Sequence, residues 1–317
     1  MAALRLGTRG SQLALYQART VAALLLDRTG IACEVVVIRT SGDRLAEATL
    51  SAIGGKRLFV KEIEDALLSG DVDLAVHSSK DMPVVLPDGL EISAVLPRED
   101  PRDALILPHG PRATTDPGPP LGRIGTSSVR RIAQLSRLYP SATFAPIRGN
   151  LDTRLRKLDD GDYDALVLAA AGLRRLERGE RISTAIAIED CVPAPGQGII
   201  AVETRIGDAA VRDHVRRIDD PRSSLALRAE RAVIARLGGG CQMPIGAHAA
   251  VATATITMTA IVTSLDGVRA ARSATTGPAA DPEAAGTAAA EALLARGADE
   301  ILADVQRRQA AVDGLQP

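Results

Sequence analysis

Arg123-Ile124-Gly125-Thr126-Ser127-Ser128-Val129-Arg130-Arg131 is the stretch on which the fold reading turns. A short strand over 123–125 runs into a helix over 128–138. The turn between them gathers unpaired backbone N–H groups, side-chain hydroxyls and the positive end of the helix. Such a turn binds anions, and the arginines beside it can grip a carboxylate or phosphate bidentately.

The arrangement recurs along the chain. Strand 143–147 leads through Arg148-Gly149-Asn150 into a helix over 151–159 that carries Arg154, and strand 164–169 leads into a helix over 172–177 with Arg174-Arg175. Upstream, strand Leu4–Gly7 passes through Thr8-Arg9-Gly10-Ser11 into a helix over 11–27. Strands at 33–38, 72–76 and 91–96 and a helix at 58–68 follow, and His77-Ser78-Ser79-Lys80-Asp81-Met82-Pro83 trails the strand Asp73–Val76. Strands alternating with helices predict mostly parallel, doubly wound α/β sheets, whose ligands lie at the carboxyl ends of the strands. One arginine in so arginine-rich a chain can be a solvated surface charge. Clusters at equivalent turns are expected to line one cleft.

At 317 residues the chain exceeds one comfortable core. A first domain is expected over 1–98 and 197–218, a second over 99–196 and a third over 219–317. Gly196-Gln197-Gly198 opens a strand over 198–203 that returns to the first sheet, so segments near 98–101 and 193–197 would cross between the two units as a hinge. Pro108 to Pro120 holds five prolines in thirteen residues and reads as a surface loop. After a helix over 208–217, Asp220-Pro221 marks a boundary. A helix over 222–237, alternating strands over 247–263 and 268–275, and helices over 282–295 and 299–308 predict a small α+β unit.

The chain is 46% hydrophobic but holds five aromatic side chains, so its cores must be built from Ala, Val, Leu and Ile. A formal net charge of -1 argues against a nucleic-acid partner. No apolar run approaches the roughly 18 residues of a membrane span. The opening Met1–Arg9 has no basic stretch followed by an apolar core, so no secretory signal is expected. Three cysteines without framework spacing fit a reducing cytoplasm. Lysine is scarce, at Lys56, Lys61, Lys80 and Lys157, which points to a need for a compact ammonium where one is kept.

Gly238-Gly239-Gly240-Cys241-Gln242-Met243-Pro244-Ile245-Gly246 places a thiol on a shaped loop. A lone cysteine is more often a small buried hydrophobe, but core elements do not carry three successive glycines. Without a CxxC pair or a histidine cluster, redox and zinc roles are set aside, and an attachment or nucleophile role remains. Asp81 is a lone carboxylate among anion binders. It reads either as a partner of Lys80 or a helix cap, or as a group that stabilises a developing cation and accepts ring N–H bonds.

Taken together, Thr8–Leu15, Gly54–Glu62, Ala75–Pro83, Arg98–Ala104, Gly125–Arg131, Arg148–Arg154, Pro195–Gly198 and Gly239–Gly246 resemble the porphobilinogen deaminases, also called hydroxymethylbilane synthases. The match runs in order from about residue 4 to 250. The resemblance implies two periplasmic-binding-protein-like domains and a transferase of tetrapyrrole, haem-type biosynthesis that joins four porphobilinogen molecules head to tail into hydroxymethylbilane with release of four ammonia. It implies a covalent dipyrromethane primer on Cys241, catalysis by Asp81, and no metal. Lys80, Ser78, Asp81, Thr126, Ser127, Ser128, Arg130, Arg131, Arg148 and Gln197 would hold the primer. Arg9, Ser11, Gln17, Arg148, Arg154, Arg175, Phe59 and Lys56 would hold the substrate, with Phe59 and its flanking lysines on a mobile segment after Gly54-Gly55. A cytoplasmic monomer that passes its product to a downstream synthase completes the expectation.

Two other readings compete. A two-domain anion receptor shares the hinge and helix-terminus sites but lacks a third domain and a Gly-Gly-Gly-Cys loop. A cysteine-nucleophile transferase without a primer needs a histidine to activate its thiol, and of His77, His109, His214 and His248 only His248 lies near Cys241 in sequence.

Overall fold

The computed structural model describes residues 3–41, 60–109, 121–240 and 243–313. Strands β1 (Leu4–Thr8), β2 (Cys33–Val37), β3 (Leu74–Ser78) and β4 (Leu90–Val95) belong to a first sheet. A second sheet holds β5 (Asp103–Ile106), β6 (Arg123–Gly125), β7 (Thr143–Ala145), β8 (Ala165–Ala169) and β9 (Thr184–Ala185). The chain then returns to the first sheet as β10 (Ile200–Arg205), giving the orders β2-β1-β3-β10-β4 and β7-β6-β8-β5-β9.

Both sheets depart from the parallel pattern at the same place. β10 is antiparallel to β3 and β4, and β5 is antiparallel to β8 and β9. Each of these strands is the first after a crossing from the other unit. It enters its sheet from the opposite side and so runs against its neighbours. β9, two residues long, is too short to leave a periodic signal in sequence.

The helices end where their cap residues dictate. Ser11, Ser128 and Asn150 each accept the N–H three residues on, which fixes the starts of helices Gln12–Thr29, Val129–Leu138 and Leu151–Asp159. Gln12–Thr29 buries Gln17, Ala18, Val21 and Leu25 at helical spacing against a core that includes Leu6, Leu74, Val76 and Val202. The second sheet packs Ile106, Leu155, Leu158, Leu166 and Leu173. As the scarcity of aromatics requires, these cores are aliphatic.

The strand run expected over 247–263 divides at Ala252–Ala254 into β11 (Ile245–Val251) and β12 (Thr255–Thr263), and β13 (Ala270–Pro278) completes an antiparallel three-stranded sheet. Helices Pro221–Leu237 and Pro282–Leu294 cover it around an alanine-rich core. Gly286 sits so close to the Ala229 carbonyl that no Cβ fits.

The two crossings lie against each other. Glu99 N–H donates to the Gly198 carbonyl at 3.0 Å, and Gly198, at φ +89°, leaves no room for a Cβ beside the Glu99 carbonyl. Glu230, on helix Pro221–Leu237, is fully buried and joins both crossings to the C-terminal sheet. Its carboxylate accepts Arg98 Nη1 at 2.5 Å, Gly196 N–H at 2.6 Å and Ala249 N–H at 2.7 Å.

Candidate active site

β3 ends at Ser78 and the chain makes a single 3₁₀ turn over Ser79–Asp81, held to the second crossing by Ser79 N–H donating to Ile199 O at 3.0 Å. The buried Met82 pins the far side of this turn, so the exposed Asp81 carboxylate stands at the carboxyl end of the strand. The side chain of Lys80 does not form an ion pair with Asp81. Its ammonium donates to Gln197 Oε1 at 3.4 Å. Burial pushes Lys80 down to about 8, with Asp81 opposing and Arg131 adding to the shift.

Asp81 lines two cavities. The larger, of about 230 Å³, is also lined by Lys80, Ser128, Arg130, Arg131, Gln197 and Gly240. The smaller, of about 70 Å³, is lined by Arg9, Ser11, Gln17, His77 and Ser78. Ser78 Oγ accepts from Gln17 Nε2 at 2.9 Å, so two of these side chains are already oriented by each other. Cationic and hydroxyl groups for carboxylates thus lie on both sides of one carboxylate.

In the second sheet the polar turn is more deeply built than its sequence indicates. Arg130 and Arg131 are buried, and both converge on Asp103 at the start of β5. Arg130 Nη1 and Arg131 Nη2 each lie 2.8 Å from an Asp103 oxygen, and Gln197 Nε2 donates to the same carboxylate at 3.0 Å. Burial works to raise the Asp103 pKa, but the charges of Arg130 and Arg131 outweigh it and hold this carboxyl well below the usual range. A guanidinium carries five N–H donors, so the pairing orients both arginines and still leaves donors for a ligand.

The remaining hydroxyls divide. Ser127 Oγ donates to Ile147 O at 2.8 Å and accepts Ile147 N–H at 3.0 Å, and Thr126 Oγ1 accepts Ser128 N–H at 3.3 Å. Both shape the turn from within, whereas Ser128 reaches the larger cavity. Arg148 and Arg154 stand outside the lining of both cavities. Arg154 Nε donates to Gly149 O at 2.8 Å. Burial, reinforced by Arg131 and Arg148, pushes Arg154 down to about 10 while Asp81 opposes, which ties it electrostatically to the same cleft. Arg175 is turned to the crossing, with Nη2 donating to Gly198 O at 2.6 Å.

Lys56, Phe59 and Cys241 lie outside the described residues. The flanks of the cysteine loop are described: Gly238 ends its helix at φ +64°, and Gly240 and Met243 both line the larger cavity. Sequence reasoning passed over Asp103 and Glu230. Their partners are tens of residues away in sequence, and neither stands in a pattern that announces burial. Among the described residues no group of three or more His, Cys, Asp or Glu could hold a metal ion, and no helix is long and apolar enough to cross a membrane.

The cavity's donor set of Lys80, Arg130, Arg131 and Ser128 around the Asp81 acceptor fits a ligand that combines several carboxylates with ring N–H groups. Comparison with known proteins agrees with that chemistry. Residues 4–213 match the porphobilinogen deaminase, dipyromethane cofactor binding domain, and residues 224–295 match the porphobilinogen deaminase C-terminal domain. The porphobilinogen deaminase of Syntrophotalea carbinolica is 48% identical, with 95% of each chain covered. That of Geobacter metallireducens is 46% identical, over 97% of this chain and 96% of its own. Among solved structures, the methionine-binding protein MetQ aligns with 68% of this chain and 90% of its own at a TM-score of 0.43 and 12% identity. By its two matched domains and its near full-length relatives, this chain belongs to the porphobilinogen deaminase family.

Proposed function

We propose that this chain joins porphobilinogen molecules head to tail into hydroxymethylbilane, with Asp81 as its catalytic carboxylate and a dipyrromethane primer attached through Cys241. The observation that carries this reading is that Asp81 lines both cavities, the larger of which we read as the primer site and the smaller as the site of the incoming pyrrole. When bound, the primer supplies the free ring carbon to which the first substrate is joined.

Lys80, Arg130, Arg131, Ser128 and Gln197 hold primer carboxylates and fix their register, with Ser78, Thr126, Ser127 and Arg148 supporting them. Arg9, Ser11, Gln17, Arg148, Arg154 and Arg175, with Phe59 and Lys56, receive the substrate and the lengthening chain. Each charge-assisted bond contributes about 1.5–3 kcal/mol. Loss of ammonia from the aminomethyl group leaves a cationic azafulvenium. At about 4 Å, Asp81 stabilises that cation by roughly 4 kcal/mol at an effective dielectric near 20, about a thousandfold in rate. Holding both partners in place adds the proximity term.

Residues 1–98 with 197–218, 99–196 and 219–317 act as three domains about a two-segment hinge. The enzyme works as a cytoplasmic monomer. Its product passes to a downstream synthase. The test of the central reading is Asp81→Asn, which is expected to keep the fold and the primer mass yet lose most turnover. Near-normal kcat would sink the assignment.

A further inference from the structure

His77 is buried, lines the smaller cavity beside Asp81, and is used by none of the chemistry above. Its Nε2 lies 3.2 Å from Oε2 of Glu203, a fully buried carboxylate on the crossing strand β10. The pair spans the two strands diagonally, since His77 faces Ala201 and Glu203 faces Ala75. The other Glu203 oxygen is buried with no hydrogen-bond partner. A carboxylate in that setting fixes the proton on Nε2, which leaves the neutral ring with its lone pair on Nδ1, and it stabilises the imidazolium once formed.

We propose that His77, oriented by Glu203, takes up the proton released in each addition. This rests on the reading of the smaller cavity as the substrate site. When the methylene carbon of the azafulvenium bonds to the ring carbon, that carbon still carries its hydrogen. The C–H bond breaks, its electron pair restores the aromatic pyrrole, and at Asp81, where the lining of the primer cavity meets that of the substrate cavity, the proton passes to His77 Nδ1. It leaves with the ammonia released in the same cycle, as ammonium, so the ring is neutral again for the next addition. The charged groups around His77 are Glu203 on β10, at 3.2 Å, and Asp81 on the 3₁₀ turn and Arg9 on the turn after β1, which line the same cavity, while helix Lys61–Ser69, which packs against β3 and β10, carries the buried Glu64. Asp81 stabilises the cation and His77 accepts the proton, so the two roles fall on two groups.

The test is His77→Ala in the primer-loaded enzyme. The account expects kcat to fall about a hundredfold, in the range of lost general base catalysis, with the primer mass retained and KM changed less than threefold. It expects added imidazole to restore turnover severalfold, which a side chain needed only for packing would not allow. Turnover within threefold of wild type, or a loss that imidazole leaves untouched, overturns the proposal. If His77→Ala does not fold, Glu203→Gln decides. A tenfold or larger fall in kcat with the acid limb of its pH profile displaced is expected, and an unchanged profile overturns it. Normal turnover in His77→Ala with an inert Asp81→Asn removes this inference alone. Normal turnover in both removes the substrate-site reading.

Discussion

The two five-stranded sheets share one strand order once β5, first of its sheet along the chain, is matched with β10, last of its own, and each holds its antiparallel strand in the fourth position, yet they bury acids of different kinds. On β5, Asp103 sits at the cleft end of its strand and is met by two guanidiniums, Arg130 and Arg131. On β10, Glu203 sits three residues deeper than the strand's first residue, and its partner is an imidazole. The first arrangement fixes permanent positive charge beside the larger cavity. The second holds an imidazole against a buried carboxylate beside the smaller one. A single topology thus supplies a carboxylate paired with two guanidiniums from one sheet, and a carboxylate paired with an imidazole from the other.

The contrast predicts unequal responses to the same kind of change. Removing Asp103 as Asp103→Ala leaves two buried guanidiniums without their counter-charge. A loss of about 3–5 kcal/mol is expected, read as a lower denaturation midpoint at constant slope, together with incomplete primer loading. A loss under about 1 kcal/mol would show that the arginines find other partners. Asp81→Asn is expected to lower kcat about a thousandfold through the loss of roughly 4 kcal/mol of transition-state stabilisation, with stability unchanged. In terms of stability it therefore ranks far below Asp103.

Glu203→Gln keeps a hydrogen-bonding group opposite His77, so its stability cost should stay within about 1–2 kcal/mol. A cost equal to that of Asp103→Ala would erase the difference between the two acids. Lys80 gives the smallest and most specific effect. Its folded pKa, lowered by burial to about 8, lies below its ordinary value. The unfolded chain therefore binds more protons between about pH 8 and the ordinary lysine value, and stability should rise with pH across that window. Lys80's positive charge is lost through the same window, so anion binding should weaken above about pH 8 while stability improves. Lys80→Arg should move the alkaline limb of kcat/KM upward. An unmoved limb would assign it to another group.

Much of this was legible in the residues. The alternation of apolar strands with capped helices gave both doubly wound sheets, because Ser11, Ser128 and Asn150 mark their helix starts and the apolar period is strong. The strand after Gly196-Gln197-Gly198 does lie in the first sheet, as β10. What could not be read was direction and partnership. Nothing local in Asp103–Ile106 says that it runs antiparallel, because that follows from the side on which the chain enters. Asp103 meets Gln197, and His77 meets Glu203, across separations of 94 and 126 residues. The burial of Arg130 and Arg131 was hidden for the same reason. A charged pair on a helix reads as a surface until its counter-ion is known.

Arg148→Ala probes the cleft without touching either buried acid. It is expected to leave stability unchanged and to trap partial chains, visible by mass. Unchanged turnover would return Arg148 to an ordinary surface charge.

The most direct test of the account is the intact mass of the purified protein followed by peptide mapping across 238–246. An excess equal to two linked pyrroles, localised to Cys241, is the predicted result. A chain at its bare sequence mass that gains no adduct on incubation with porphobilinogen would contradict the account.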